Sequence, residues 1–282
     1  GREPQSEQST ILRAALEEKY AVPVLALNCE TDFVAKNAGF VELTNKILDA
    51  AIANRVPNIE ALKALEIDGR TVADLVVEET GKTGEKTEIS AYEVIEAPST
   101  TSYTHFGNKL ATIVGFNLEN VDYQAGRNVA MQVASMNPLA VDRASVPASV
   151  LESEKAIAIE KTKDEQVRKA VEAALKKAGL NPNHFDSEDH IESNMSKGWI
   201  TEEEAAKGRA IMAEVAEQKR ANLPAAMIEN IAIGRVNKFC KESCLMEQEF
   251  INDAKMTIGQ YLESTAKGLV AVAFKRVNLN QD

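Results

Sequence analysis

One layout occurs twice in the first half of the chain: an apolar strand, a short polar corner, and a helix. The first copy covers residues 22–53 and the second covers residues 110–136, and each helix carries a glycine, Gly39 or Gly126. A strand with one apolar face must bury that face against another element. The repeat therefore predicts an α+β fold with two small antiparallel sheets, each covered by helices on one face.

The remaining segments are assigned around this duplicated core. We expect residues 1–97 to form its N-terminal half, and residues 98–160 together with 223–282 to form its C-terminal half. Residues 161–222 have helical periodicity, with apolar faces at Val167, Val171 and Leu175 and at Ile211, Met212 and Val215, which predicts a large helical insertion whose helices pair as a hairpin. The chain is long enough for each part to bury a core of its own.

Individual elements follow from periodicity and from capping residues. Residues 10–17 suit a helix on propensity. Residues 81–85 are predicted to be a turn, and residues 181–198 a polar connector. Helices are predicted at 32–53, 59–65, 71–79, 123–136, 148–160, 164–177, 201–220, 224–241 and 257–264, and strands at 22–28, 87–96, 100–106, 110–118 and 269–276.

The first corner is the segment most unusual in its side chains. Thr31 stands where a helix N-cap belongs, and Asp32 falls in the first turn, where a negative charge suits the helix dipole. Phe33 is a large ring at a strand-to-helix corner, where chains usually run over the surface. Phe33 and Phe40 are seven residues apart and could share one buried helix face, so periodicity alone favours a core position for Phe33.

Three segments, in the right order, resemble the elongation factor Ts family of nucleotide exchange factors for the GTPase elongation factor Tu. The resemblance covers roughly residues 10–160 and 223–277. For residues 10–17 it implies the first strand of a hairpin that turns near residues 18–20, and we adopt this interpretation in place of a helix. The segments are residues 31–36 (Thr-Asp-Phe-Val-Ala-Lys), residues 102–105 (Ser-Tyr-Thr-His), and residues 234–239 (Gly-Arg-Val-Asn-Lys-Phe) with 245–251 and 257–259 downstream.

The resemblance implies a function and a set of contact residues. Phe33 would insert between helices of the partner's nucleotide domain and disturb its magnesium and phosphate site, while Asp32 fixes the corner. His105 is implied as a second contact, although a sheet histidine with satisfied hydrogen bonds is the alternative from the residues alone. The full set of implied partner-binding residues is Thr31, Asp32, Phe33, Val34, Thr83 and His105.

The chain also departs from the family pattern. The family's small N-terminal module, which looks like a ubiquitin-associated domain, has no counterpart in these residues. Residues 161–222 are enlarged relative to compact bacterial members, and no C-terminal helix follows residue 277. These departures concern two of the family's contact surfaces for elongation factor Tu and the affinity that those surfaces supply.

Composition argues against other functions. The net charge of −11 repels a phosphate backbone, which argues against direct nucleic-acid binding. No apolar run reaches the length of a membrane span. The chain has only three cysteines, which is typical of a protein in a reducing compartment. The cysteines and the three histidines, His105, His184 and His190, do not have the sequence spacing of metal ligands. We therefore expect no bound metal and no cofactor. The default location is a bacterial cytoplasm.

Two alternatives to an exchange factor stay open. An enzyme is the weaker one, because the chain offers no nucleophile motif, no metal triad and no phosphate-binding loop. A helical scaffold or adaptor without exchange activity would account for the insertion. Loading elongation factor Tu with fluorescent GDP and measuring its release would separate these functions.

Overall fold

The computed structural model describes residues 8–12 and 21–280, with side chains from residue 23 onward. The chain divides into two compact units. The first is drawn from residues 1–146 and 241–282, and it is built from strands and helices. The second covers residues 147–240 and is helical.

The first sheet has the strand order β1-β2-β5 and is antiparallel throughout. The pairing of β1 with β2 confirms the hairpin over its described residues, while residues 13–17 of the predicted strand and the turn predicted near residues 18–20 lie outside the described residues. A two-residue ribbon, β3 with β4, precedes α4. The elements are β1 (Gln8–Leu12), β2 (Ala21–Cys29), α1 (Asp32–Ala35), α2 (Ala38–Ala53), α3 (Ile59–Ala64), β3 (Glu66–Ile67), β4 (Arg70–Thr71), α4 (Val72–Thr83) and β5 (Glu88–Glu96).

The second sheet has the order β10-β7-β6 and is also antiparallel. Its strands are β6 (Ser99–Thr104), β7 (Leu110–Phe116) and β10 (Ala271–Asn278). The predicted helix at residues 123–136 is confirmed as α5 (Tyr123–Met136). A second short ribbon and helix complete this half: β8 (Glu249–Phe250), β9 (Asp253–Thr257) and α10 (Ile258–Thr265).

The two central strands are buried on both faces. In β2, Leu25 and Leu27 pack in one cluster with the helices α2 to α4, while Val24 packs in another cluster with Ile113 of β7. The two sheets therefore lie face to face, with helices on the outer face of each. This arrangement explains why both strands are continuous apolar runs rather than alternating ones. The α+β fold with helices on one face of each sheet is confirmed.

Close contact between the two sheets depends on Gly115 of β7. A Cβ atom at this position would lie 2.7 Å from Cγ2 of Ile95 and 2.9 Å from Cβ of Ala97. Gly126, one of the repeated helix glycines, lets α5 approach the second sheet, because its Cβ would lie 3.2 Å from Cβ of Thr101. The glycines thus bring backbones together at places where a side chain would separate them.

The helical unit is built from α6 (Ala148–Lys177), α7 (Glu188–Ser196), α8 (Glu202–Ala221) and α9 (Ala225–Ser243, the unit ending at Cys240). The prediction of two helices at 148–160 and 164–177 was wrong, since α6 runs unbroken through this stretch, which has neither glycine nor proline. The polar connector predicted at 181–198 was also wrong. It contains α7, which is capped by Ser187 and buries Ile191, and a 3-10 turn at Pro182–Phe185.

Helices α6 and α8 pair along their lengths in opposite directions. The Arg220 guanidinium, near the end of α8, lies 2.7 Å from a carboxylate oxygen of Glu160 and 2.8 Å from one of Asp164. At the other end, Nζ of Lys207 donates to the carbonyl oxygen of Ala178. The far end has its own apolar cluster: Leu175, Leu180, Phe185, Ile191, Ile200 and Ala205.

Two further differences concern the first unit. The helix predicted at 32–53 is broken in two, because the Asn37 side chain accepts hydrogen bonds from the N–H groups of Gly39 and Phe40 and starts a new helix. The turn predicted at 81–85 begins later, since α4 continues to Thr83. Helix α4 is terminated by Gly84, whose φ of +72° is the left-handed conformation that favours glycine.

Candidate partner-binding corner

The corner between β2 and α1 is formed by its own side chains. Thr31 has extended backbone angles, and its Oγ1 accepts a hydrogen bond from the N–H of Val34, so it is the N-cap of α1. Asp32 occupies the first turn of that helix. The N-cap prediction is confirmed. A four-residue helix is too short to be stable alone, so other contacts must hold the corner.

Glu85, in the turn that follows α4, supplies those contacts. Its Oε1 accepts hydrogen bonds from the backbone N–H groups of Glu30 at 3.0 Å and Thr31 at 2.8 Å. Its Oε2 accepts a third, from Oγ1 of Thr31, at 2.7 Å. A carboxylate that accepts several hydrogen bonds at once makes stronger contacts than a neutral acceptor would. We call this set of contacts the Glu85 clamp.

Thr83 stands behind the clamp. Its Oγ1 accepts a hydrogen bond from the N–H of Glu85 at 3.2 Å and donates to the carbonyl oxygen of Glu79 at 3.0 Å. The side chain is half-buried. Thr83 therefore shapes the turn that brings Glu85 to the corner, and its direct contact with a partner stays a prediction.

Phe33 projects from the clamped corner into solvent. Its side chain is 89% exposed, whereas Phe40 is completely buried. The core alternative for Phe33 was therefore wrong, because the helix break at Asn37 places the two rings on separate helices. Val34 is half-buried and packs against the first core. A groove of about 660 Å³ lies beside Phe33, lined by residues of α2 and α4 that include Leu43, Leu75 and Lys46.

The turn between β6 and β7 lies next to the corner. Nζ of Lys109 is 3.7 Å from a carboxylate oxygen of Asp32. We call residues 105–109 the hairpin tip. The structure thus brings His105, on this tip, to the same side of the unit as the Asp32 corner.

His105 is exposed and held by a neighbour. Its Nδ1 forms a hydrogen bond of 2.7 Å with the hydroxyl of Tyr103. The guanidinium of Arg127, from α5, lies 5.2 Å from the centre of the Tyr103 ring. The imidazole keeps its other nitrogen available at the surface. A partner contact for His105 stays a prediction.

Cys29 ends β2 directly under the corner. Burial, helped by the nearby carboxylates of Glu85, Asp32 and Glu30, raises the pKa of its thiol to about 11. The thiol donates a hydrogen bond to the carbonyl oxygen of Thr31 at 3.3 Å. A buried, protonated thiol is a poor nucleophile, so Cys29 supports the corner structurally and offers no reactive group.

Neither a metal centre nor a membrane span is found in the part of the chain that the structure describes. Within residues 8–12 and 21–280, no three His, Cys, Asp or Glu side chains come together in a way that could hold a metal ion. Across the same residues, every helix is too short or too polar to cross a membrane. The corner itself combines polar anchoring with one exposed ring.

Comparison with known proteins decides the family. The family model described as Elongation factor TS matches residues 30–281, which include the corner, the hairpin tip and the helical unit. This chain belongs to the elongation factor Ts family.

Proteins named elongation factor Ts align over most of their own length. The one from Phocaeicola vulgatus is 55% identical over 260 residues, which is 92% of this chain and 78% of the relative. The one from Bacteroides thetaiotaomicron is 54% identical over 264 residues, covering 93% and 79%. The one from Azobacteroides pseudotrichonymphae is 35% identical over 281 residues, covering 100% and 82%. The resemblance predicted from three short segments is thereby confirmed.

The elongation factor Ts motif was visible in the sequence, but the residue that holds it was not. Glu85 is more than fifty positions away from Thr31, and neither periodicity nor spacing connects the two. The one local signal is a carboxylate directly after the helix-ending Gly84. Such a residue can face the unpaired N–H groups of a neighbouring corner, but the sequence does not say which corner it faces.

Proposed function

We propose that this member of the elongation factor Ts family is a guanine nucleotide exchange factor for elongation factor Tu. It promotes release of GDP so that GTP can rebind, and it acts as a binding protein rather than as an enzyme. The observation that carries the proposal is Phe33, an 89% exposed aromatic ring on a corner fixed by the Glu85 clamp. Its work in translation would place the protein in the cytoplasm.

The proposed mechanism assigns a role to each residue of the corner. Phe33 inserts into the GTPase domain and disturbs the site that holds magnesium and phosphate. Thr31 caps the short helix, Val34 anchors it to the core, and Asp32 fixes its first turn. Thr83 orients the Glu85 clamp, and His105 on the hairpin tip makes a second contact. The protein needs no cofactor of its own in this mechanism.

Linkage sets the size of the effect. Exchange factor and nucleotide weaken each other's binding by the same factor, because the coupling between two sites is reciprocal. Burying one Phe side chain contributes roughly 1.5–3 kcal/mol. Each 1.4 kcal/mol is about a tenfold change in an equilibrium constant, so Phe33 can weaken GDP binding by roughly ten- to a hundredfold. The remaining coupling must come from the other contacts.

Stopped-flow release of fluorescent GDP from elongation factor Tu tests the proposal. We expect the wild-type protein to accelerate release, and Phe33→Ala to lose most of the maximal rate. Because Phe33 is exposed, the substitution should leave the thermal midpoint unchanged. Tyr123→Ala is the matched control: Tyr123 is a 58% exposed aromatic residue at the start of α5, away from the corner.

Two results would contradict the proposal. If the wild-type protein binds elongation factor Tu without accelerating release, the scaffold alternative is correct. If the Phe33→Ala variant accelerates GDP release from elongation factor Tu as much as the wild-type protein does, the corner is not the part of the protein that drives exchange. A shift of the thermal midpoint by several degrees would show that Phe33 supports the fold.

A further inference from the structure

The hairpin tip carries a second exposed aromatic ring, Phe106. Its side chain is 99% exposed, the highest value among the large apolar side chains of residues 23–280, with Phe33 next at 89%. A Phe side chain in this position contributes nothing to the core and leaves a large apolar surface in water. An exposed apolar ring of this size contributes binding free energy when a partner buries it.

The ring is mounted on an ordered turn. The N–H of His105 donates a hydrogen bond to the carbonyl oxygen of Leu110 at 2.8 Å. The N–H of Asn108 donates one to the carbonyl oxygen of His105 at 3.0 Å. Gly107 and Asn108 have φ values of +92° and +57°, as a tight turn requires. An anchor on a fixed turn loses little backbone freedom on binding, so more of its contact energy is available for affinity.

The hairpin tip lies beside the Phe33 corner. The Lys109 ammonium, three residues after Phe106, lies 3.7 Å from the Asp32 carboxylate, which precedes Phe33 in the chain. The Lys109 carbonyl also accepts a hydrogen bond from the N–H of Leu279 at 2.7 Å, so the tip is tied to the sheet on its other side. A partner that receives Phe33 therefore meets the hairpin tip as well.

We propose that Phe106 is a second aromatic anchor for the same partner, packing on an apolar patch of elongation factor Tu. This inference rests on the function proposed above. Aromatic residues are enriched among the few side chains that dominate binding energy at interfaces. The two rings divide the work: Phe33 disturbs the nucleotide site, whereas Phe106 holds the complex equally in its GDP-bound and nucleotide-free forms. A contact that is equal in all states raises affinity without changing the maximal rate.

Phe106→Ala tests this division. GDP release is measured over a range of exchange-factor concentrations, which separates the half-saturating concentration from the maximal rate. We expect the half-saturating concentration to rise roughly ten- to a hundredfold, the range for losing a buried Phe contact, with the maximal rate kept within about twofold. Phe106→Leu should recover part of the affinity, and Tyr123→Ala should behave as wild type.

Each outcome decides the inference. Unchanged half-saturation in Phe106→Ala, with an active wild-type protein, overturns the anchor while leaving the proposed function intact. A fall in the maximal rate with unchanged half-saturation also overturns it, because Phe106 would then act on the nucleotide site. If the wild-type protein neither binds elongation factor Tu nor releases GDP, the proposed function fails and takes this inference with it.

Discussion

Removing the Glu85 clamp should weaken the corner without touching its exposed ring. Glu85→Ala removes the acceptor for two backbone N–H groups and one hydroxyl, whereas Glu85→Gln keeps a neutral oxygen for the two N–H groups. Glu119→Ala, in the loop after β7, is a control that removes an exposed carboxylate. The three variants separate the loss of the clamp from the loss of a charge.

The hydrogen bonds set the expected loss of stability. Contacts to a charged group contribute about 1.5–3 kcal/mol, and water can reach the half-exposed corner, so we expect Glu85→Ala to lose about 2–3 kcal/mol. For a chain of this size each kcal/mol lowers the thermal midpoint by about 2–4 °C, which gives about 4–12 °C. Glu85→Gln, which loses mainly the charge, should lose about 1 kcal/mol.

The effect on exchange should be on affinity. A corner that holds the competent conformation only about one tenth of the time binds about tenfold more weakly, because apparent affinity scales with the competent fraction. At saturation the partner selects that conformation, so the maximal rate of GDP release should be kept. Stopped-flow titration of fluorescent GDP release gives both quantities, and Glu85→Gln should lie between wild type and Glu85→Ala.

Two results would refute this reasoning. If Glu85→Ala loses stability and keeps the wild-type half-saturating concentration, the corner adopts its active conformation without the clamp. If instead its maximal rate falls as far as that of Phe33→Ala, Glu85 acts on the partner directly. The control should match wild type in both stability and exchange.

Two other predictions concern Cys29 and the helical unit. The Cys29 thiol has a pKa of 9.0 in the unfolded chain and about 11 in the folded protein. Between these pH values the unfolded state binds fewer protons than the folded state. The free energy of unfolding should therefore fall as the pH rises from 9 to 11. Urea unfolding at about pH 8.5 and 10.5 measures this fall, which should be smaller in Cys29→Ala than in wild type. An equal fall in the two proteins would refute the raised pKa of Cys29 as its cause. In the helical unit, residues 167–217 can be replaced by a short Gly-Ser linker that keeps the ion pairs of Arg220 with Glu160 and Asp164. The maximal rate of GDP release should stay within about twofold of the wild-type rate, because the free energy of loop closure depends only weakly on loop length. Much weaker binding at an unchanged maximal rate would show instead that the removed segment is a docking arm.

The sequence predicted the sheets and most helices because local signals define them. The α5 boundaries, and the capping box of Thr201 with Glu204, are set by residues a few positions apart. It failed where a signal was missing or overridden. Ser187 caps α7, but Ile191 and Met195 are the only large apolar residues between Glu188 and Ser196, which is too few for periodicity to predict a helix. A side-chain cap at Asn37 divided a helix that periodicity would have continued.

At the candidate site the same limit applies. The motif gave Asp32 and Phe33, and its resemblance gave His105, but the contacts that arrange them join residues far apart in the chain. Glu85 reaches Thr31 only after the first half of the core is folded, and Lys109 reaches Asp32 only after both halves are folded. Nor did the motif point to Phe106, because nothing local shows that a ring beside a turn stays in solvent.

The placement of β10 has a consequence for folding during synthesis. The first sheet and its helices come entirely from residues up to Glu96 and can form early, since domains generally fold from the N-terminus as the chain emerges. The second core cannot, because Leu245, Ile258 and Leu269 cover the apolar side chains of α5 and β7. About 180 residues separate Glu96 from the end of β10, so at about 5–20 residues per second the hairpin tip waits roughly 10–35 s for its last strand. In a nascent chain the Phe33 corner is therefore present before its neighbour, and each new copy passes through a period in which α5 and β7 expose an apolar face to chaperones.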